Sequence, residues 1–342
     1  MGIIISILVF GVIVTFHELG HFILAKLYGI EVEEFCLGFG PMLVGKTIGG
    51  TKFSWRLLPF GGACIMGEDE ADNLNENSFN SKSVWARISV VAAGPVFNFI
   101  MALILSIILV MAVGYDEPVL GEVMEGYSAQ EQGLQEGDRI LKMDGKNIHL
   151  WKEISMYNLL HQGETIEVVY ERDGKQYEAT LTPKQDEDGN YYYGLVGTGQ
   201  RTKANLLTAV QYGHYTVQYM IRYAIGSLQL LVKGNVGLKD MSGPVGMVSI
   251  MDQTYKASAS SGAGVVALNF VNIAILLSAN LGVMNLLPIP ALDGGRLVFL
   301  LFEVIRGKRV PPEKEGYVHL AGMVLLMALM ALIMISDVKK LF

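Results

Sequence analysis

Residues 2–27 read GIIISILVFGVIVTFHELGHFILAKL, and the run His17-Glu18-Leu19-Gly20-His21 within them decides how the rest of the chain is read. The stretch is apolar throughout and long enough, at about 1.5 Å per helical residue, to cross the roughly 30 Å hydrocarbon layer of a bilayer. On a helix, residues four apart share a face, so His17 and His21 reach one metal ion while Glu18 points beside it toward a bound water. That is the layout of a zinc-dependent hydrolase. A single His or Glu in an apolar helix also occurs as a satisfied polar core residue. Three such groups together are different, because a charged residue at membrane depth costs roughly 2.5 to 3.5 kcal/mol on insertion scales and marks function by default.

The remaining composition suits a membrane protein with one soluble insert. Hydrophobic residues make up 51% of the 342 positions and charged ones only 17%, too apolar and too weakly charged for a soluble domain. Residues 116–200 hold 17 acids against 7 bases, so the formal net charge of -7 leaves the rest of the chain near +3. The acidity therefore belongs to the insert, as a solvated surface. No basic stripe suggests nucleic acid.

Four segments, 2–27, 88–114, 265–287 and 317–336, are long and apolar enough, or nearly so, to span a bilayer. The first has no basic n-region and no small-residue cleavage site, and is read as a retained helix rather than a signal peptide. The connection after the first span carries Lys26, Lys46, Lys52, Arg56, Lys82 and Arg87, and the one after the third carries Arg306, Lys308, Arg309 and Lys314. Both are expected on the cytoplasmic side, which puts the termini and the acidic insert on the far side. Lys339 and Lys340 dissent mildly.

Residues 32–66 are not an ordinary loop. Glycine pairs separated by short apolar runs, as in Phe53-Ser54-Trp55-Arg56-Leu57-Leu58-Pro59-Phe60-Gly61-Gly62, predict β-hairpins packed against the membrane domain rather than a polar linker. Cys36 and Cys64 fit no metal spacing and are given no chemistry.

The insert reads as a small β-rich domain with hairpin turns at Asp144-Gly145 and Asp173-Gly174 and a helix over 151–160. Its string Gly133-Leu134-Gln135-Glu136-Gly137-Asp138-Arg139-Ile140, followed by Asp144-Gly145, resembles the core of PDZ domains. PDZ domains take an extended peptide by strand addition, here at a candidate edge over 120–124. The other reading is a spacer that only blocks bulky ectodomains. Residues 203–233, rich in tyrosine, predict an amphipathic helix at the membrane interface.

The third span contains Asn280, Asn285, Pro288, Pro290 and Asp293-Gly294-Gly295, polar groups and helix breakers that a plain anchor avoids. A catalytic zinc takes three protein ligands and leaves one position open, commonly two His and a carboxylate. Asp293, the one acid near the deep end of this span, is the candidate for that carboxylate, and the prolines, by interrupting backbone hydrogen bonding, can turn it inward; taken alone it also reads as a helix cap before Arg296.

Taken together, HELGH, Ala93-Gly94-Pro95-Val96-Phe97-Asn98-Phe99, the PDZ-like insert, Ser242-Gly243-Pro244-Val245-Gly246 and the run from Asn280 to Gly295 resemble the site-2 protease family of intramembrane zinc metalloproteases. Within it the chain is most similar to bacterial regulator-of-sigma-factor proteases, over nearly its whole length. The resemblance implies Zn2+ held by His17, His21 and Asp293, Glu18 as catalytic base, and Asn280 and Asn285, with the Pro288 and Pro290 segment, along the substrate backbone. It implies cleavage of single-span membrane proteins, an anti-sigma factor or a remnant signal peptide, in the bacterial cytoplasmic membrane. A peptide C-terminus or strand at the PDZ-like domain is a further implied partner. One departure is that the insert has room for a single PDZ domain, where some relatives carry two.

The expected fold is thus a multi-span α-helical membrane protein with four transmembrane helices, a membrane-associated β-hairpin region and an inserted α+β PDZ-like domain. Its parts are a first helix (1–30), hairpins and loop (31–87), a second helix (88–114), the insert (115–200), an interfacial helix and linker (201–262), a third helix (263–303), and a loop with the fourth helix (304–342). Two other readings are a non-enzymatic PDZ-bearing membrane adaptor with a structural zinc and an intramembrane transporter. Structural zinc sites close with four protein ligands, and no fourth is evident here. A transporter is disfavoured by the lack of an internal repeat.

Overall fold

The computed structural model describes residues 1–67, 76–186, 189–234, 237 and 241–341. In chain order the elements are α1 (Gly2–Leu27), β1 (Val32–Ile48), β2 (Thr51–Met66), α2 (Val84–Val113), β3 (Leu120–Val123), α3 (Ser128–Glu131), β4 (Arg139–Met143), β5 (Lys146–Asn147), α4 (Trp151–Leu160), β6 (Ile166–Arg172), β7 (Lys175–Leu181), β8 (Lys184–Gln185), β9 (Tyr191–Tyr192), β10 (Leu195–Gly197), α5 (Leu206–Val232), α6 (Pro244–Ser258), α7 (Ala263–Asn285), α8 (Asp293–Arg306) and α9 (Pro312–Leu341). They fall into two compact units, one of Met1–Leu105 with Gly234–Phe342, the other Ser106–Lys233.

Among the described residues four helices are long and apolar enough to cross a membrane: Gly2–Leu27, Val84–Val113, Ala263–Asn285 and Glu313–Lys340. Their outer faces are bare hydrocarbon, with Leu8, Leu325 and Met327 each more than 60% exposed. An apolar surface of this extent is stable against lipid and not against water. Inward, α1, α2 and α7 meet through Ile13, Met101 and Ala274, with Phe16 and Leu281 packed around them. The close approach of α1 and α2 depends on Gly20, where a Cβ would stand 2.5 Å from the Ala93 carbonyl oxygen. A partly buried ion pair, Arg87 with Glu303 at 2.5 Å, ties the start of α2 to α8.

The expected hairpin region is present as two long strands whose pairing is irregular. Leu37 pairs with both Gly62 and Trp55, so β1 lies between two stretches of β2. Glu34 is held by Ser54 and by Arg56 at 3.0 Å, and these hydrogen bonds push its carboxyl below the usual range. In its distal part Leu43, Val44 and Trp55 are exposed.

The stretch read as one third helix, 263–303, is two. α7 stops at Asn285 and α8 begins at Asp293, because Pro288 and Pro290 cannot donate to helical carbonyls and Ala291 adopts φ 77°, outside the right-handed helix. Residues 244–258, read as linker, form α6, started by Pro244 in the first turn where its missing N–H costs nothing.

The second unit has a four-stranded antiparallel sheet in the order β5-β4-β6-β7 and a β10-β3 pair, packed around Leu120, Ile140, Met143, Ile154, Ile166 and Leu181. Asp144 and Asp173 take positive φ ahead of Gly145 and Gly174, the two-residue turns expected from Asp-Gly. The strand edge expected to receive a peptide, 120–124, is already occupied. Leu195 pairs with Val123 on one side, and Leu120 exchanges backbone bonds with Gly137 and Asp138 on the other. The tyrosines of α5 stack on the insert itself: Tyr212 on Tyr115 at 3.6 Å, Tyr215 on His149 at 3.9 Å, and Lys152 lies over Tyr219.

Candidate metal centre

One turn of α1 puts the His17 and His21 rings on the same face, and both residues are buried. Asp293 reaches them as the first residue of α8. Its placement rests on the two glycines behind it: a Cβ on Gly295 would stand 2.5 Å from the Ile289 carbonyl oxygen, and one on Gly294 would overlap the Leu286 and Leu287 carbonyls. Only residues without side chains let the start of α8 close on the loop before it.

The three donors converge. His17 Nε2 is 3.2 Å from Asp293 Oδ2, His21 Nε2 is 3.5 Å from the same oxygen, and the two Nε2 atoms are 3.3 Å apart. Donors about 2.0 to 2.1 Å from a tetrahedral zinc stand roughly 3.3 Å from one another, so these distances match three edges of such a tetrahedron. Asp293 Oδ2 is buried and has no hydrogen-bond partner among the described residues, which is what an atom reserved for an ion looks like. Among the described residues this is the one cluster of metal-binding type, and it has three members. The donor set fits zinc with a position left open.

The surrounding groups hold the rings in register. His21 Nδ1 lies 2.8 Å from the Val90 carbonyl oxygen, and His17 Nδ1 lies 3.0 Å from the Asn98 amide. Asn285 Nδ2 stands 3.5 Å from His17 Nε2, at the rim of the cluster. The Glu18 carboxylate accepts the Cys64 backbone N–H at 2.9 Å, so the last stretch of β2 passes beside it. Burial pushes the Cys64 thiol up to about 12, with Glu18 adding to the shift, so it stays protonated and offers no rival nucleophile.

Of the residues singled out in the sequence, His17, His21, Asp293 and Asn285 come together and Glu18 lies beside them. Asn280 has a buried Oδ1 without a hydrogen-bond partner among the described residues, and Pro288 and Pro290 shape the loop before Asp293, Pro290 packing against Gly322 of α9. Three contributors went unassigned in the sequence: Val90, Gly94 and Asn98, at four-residue spacing on one face of α2. The signal was the small and polar pair Gly94 and Asn98 inside an apolar run.

Gly94 is a steric requirement. A Cβ there would fall 2.7 Å from His17 Cε1 and closer still to His21 Nε2. Gly94→Ala is expected to displace the rings and weaken zinc binding by about 10 to 100-fold, the range seen when the supports of a metal ligand are lost. Chelator competition on the purified variant checks it, and unchanged affinity would show that α2 yields.

The model of peptidase family M50 matches residues 5–329. A Clostridium acetobutylicum protein, provisionally named a zinc metalloprotease, is 39% identical over 339 residues, 98% of this chain and 97% of its own. Zinc metalloprotease RasP of Bacillus licheniformis is 33% identical over 423 aligned residues, and the regulator of sigma-W protease RasP of Bacillus subtilis is 32% identical over 424, each covering 99% of both chains. Those two alignments are longer than this 342-residue chain, so the Bacillus proteins carry residues it has no counterpart for. The PDZ domain of an SdrC-like protein from Listeria monocytogenes aligns at 25% identity over 25% of this chain and 90% of its own, with a TM-score of 0.22. The chain belongs to peptidase family M50, the site-2 proteases, and is a zinc metalloprotease with, among the described residues, four helices long and apolar enough to cross a membrane.

Proposed function

We propose that the protein is an intramembrane protease that cuts single-span membrane proteins within the bilayer, with His17, His21 and Asp293 as zinc ligands and Glu18 as general base. The observation that carries this reading is a three-donor cluster with an open position, two donors of which sit on α1, a helix long and apolar enough to span a membrane, and the third at the start of α8. A structural zinc in an adaptor would need a fourth protein ligand, and none joins the cluster among the described residues.

Held by His17, His21 and Asp293, zinc would acidify a water and polarise the scissile carbonyl. Glu18, on the turn between the two histidines, takes the proton from the attacking water as the water oxygen bonds to the carbonyl carbon. The same carboxyl then returns the proton to the amide nitrogen as the C–N bond breaks. The Cys64 N–H holds the Glu18 carboxylate in place for both transfers. A helical substrate hides its carbonyls in internal bonds and must unwind before attack. The β2 stretch beside Glu18 and the Asn285 amide replace some of those bonds, with Asn280 farther along the same helix. A cavity of about 740 Å³, lined by Cys64, Val91, Arg87, Arg296 and Glu303 among others, offers water a route toward Glu18, whose carboxylate bonds the Cys64 N–H.

The basic connections favour the cytoplasmic side for the loops after the first and third spans and an extracytoplasmic insert, in a bacterial cytoplasmic membrane. By analogy with the named regulator of sigma-W protease, an anti-sigma factor is a fitting substrate, and a remnant signal peptide has the same single-span form. The insert acts as a PDZ-like filter on the substrate ectodomain. A peptide strand would enter at β10, whose second edge has no strand partner among the described residues and whose Gly197 lies under the Trp151 indole.

Deleting residues 121–195 is expected to leave zinc binding intact and to make long-ectodomain substrates cleavable that the whole protein rejects. A folded, zinc-loaded deletion variant that cuts nothing would make the insert part of the cutting machinery. Membrane-fragment proteomics on cells carrying the wild type or Glu18→Gln identifies the substrates. Fragments ending inside apolar spans only with the wild type are expected, and identical fragment sets would contradict the reading.

A further inference from the structure

The α2 face that carries Val90, Gly94 and Asn98 addresses the Nδ1 atoms of both histidines. A neutral imidazole that offers Nε2 to a metal carries its proton on Nδ1 and needs an acceptor there. For His21 the acceptor is unambiguous, because the Val90 carbonyl can only accept. For His17 the facing group is the Asn98 amide, 3.0 Å away on a side chain with no exposed surface. Oxygen and nitrogen of an amide are interchangeable by a half-turn, so hydrogen bonding decides which end faces the ring. With Nδ2 toward His17, the amide donates to Nδ1 and forces the proton onto Nε2, the atom 3.2 Å from Asp293. Oδ1 in that orientation has no partner among the described residues, so no other contact holds the amide that way round.

We propose that Asn98 is a positioning residue whose amide oxygen accepts the His17 Nδ1 proton and thereby fixes the tautomer that presents Nε2 to zinc. The inference rests on His17 being a zinc ligand, the reading given above. The backbone around Asn98 is built to hold it still: Ser278 donates to the Asn98 carbonyl at 2.8 Å, and Gly282 of α7 packs against the Phe99 ring. α7 and α2 thus clamp the side chain that orients a ligand on α1. Asn98 touches neither substrate nor metal and acts only through His17.

Three substitutions test it on the full-length protein in detergent, with zinc affinity read by competition against a chromogenic chelator and substrate cleavage measured beside it. Asn98→Leu keeps the volume and removes the acceptor, and zinc affinity is expected to fall about 10 to 100-fold. Asn98→Asp keeps an acceptor oxygen and is expected to stay within threefold of wild type or bind more tightly. A role in packing alone predicts the opposite order, since a buried carboxylate disturbs the helix interface more than a leucine does. Asn98→Leu with wild-type affinity, or Asn98→Asp weaker than Asn98→Leu, would overturn the proposal. Should neither variant fold, 15N spectra of histidine-labelled, zinc-loaded wild type decide: a protonated His17 Nδ1 supports the proposal and an unprotonated one overturns it. His17→Ala separates the two readings. If it keeps zinc, the ligand assignment fails; if it loses zinc while Asn98→Leu does not, only the role of Asn98 fails.

Discussion

Glu18→Gln is expected to lower peptide cleavage by about 100 to 10,000-fold, the usual share of general acid–base catalysis, while zinc content and fold stay as in the wild type. Glutamine has nearly the shape of glutamate, and its amide oxygen still accepts the Cys64 N–H that holds Glu18 at 2.9 Å. What it cannot do is take a proton from water and give it to the leaving amine. The metal-binding cluster does not include Glu18, so no ligand is lost. Initial rates on a single-span substrate, with metal analysis of the same samples, check both halves. Cleavage within threefold of wild type would remove Glu18 from the base position.

Asp293→Asn is expected to cost both metal and activity. Its Oδ2 lies 3.2 and 3.5 Å from the two histidine nitrogens, with no other partner to hold it. The neutral amide is a poorer donor to a dication, and in half of its orientations it would turn an N–H toward the site. Zinc affinity should fall by at least about 10-fold, with cleavage falling in step when zinc is limiting. Excess zinc should restore part of the rate. Full zinc occupancy with lost activity would instead make Asp293 an orienting group for substrate.

The three-donor cluster is largely legible in the sequence because most of it is local. His17 and His21 are one helical turn apart, and that geometry is implied by the letters alone. Asp293 is distant in sequence but was recoverable because the cluster lacked an acid and few acids lie near the apolar spans. Asn98 carries no sequence signal of its role, since its partner sits on another helix and only the approach of α1 and α2 at Gly20 brings it within 3.0 Å of His17. The division of 263–303 into α7 and α8 was hidden by continuous hydropathy, although both prolines that cause it were in view. The helix α6 was missed because residues 244–258 are neither strongly apolar nor strongly polar. The expected peptide edge at 120–124 failed on strand order. Alternation reveals that a stretch is a strand, while its neighbours are chosen by the tertiary fold, here β10 from the far end of the insert.

The central claim, hydrolysis by a three-ligand zinc site within the membrane, is met most directly by mass spectrometry of the products that purified protein releases from a single-span substrate in proteoliposomes. The account predicts one zinc per chain and new termini inside the substrate's apolar helix, with cleavage stopped by a zinc chelator and restored by added zinc. Cleavage that persists without metal, or termini found only in the substrate's water-exposed segments, would contradict it.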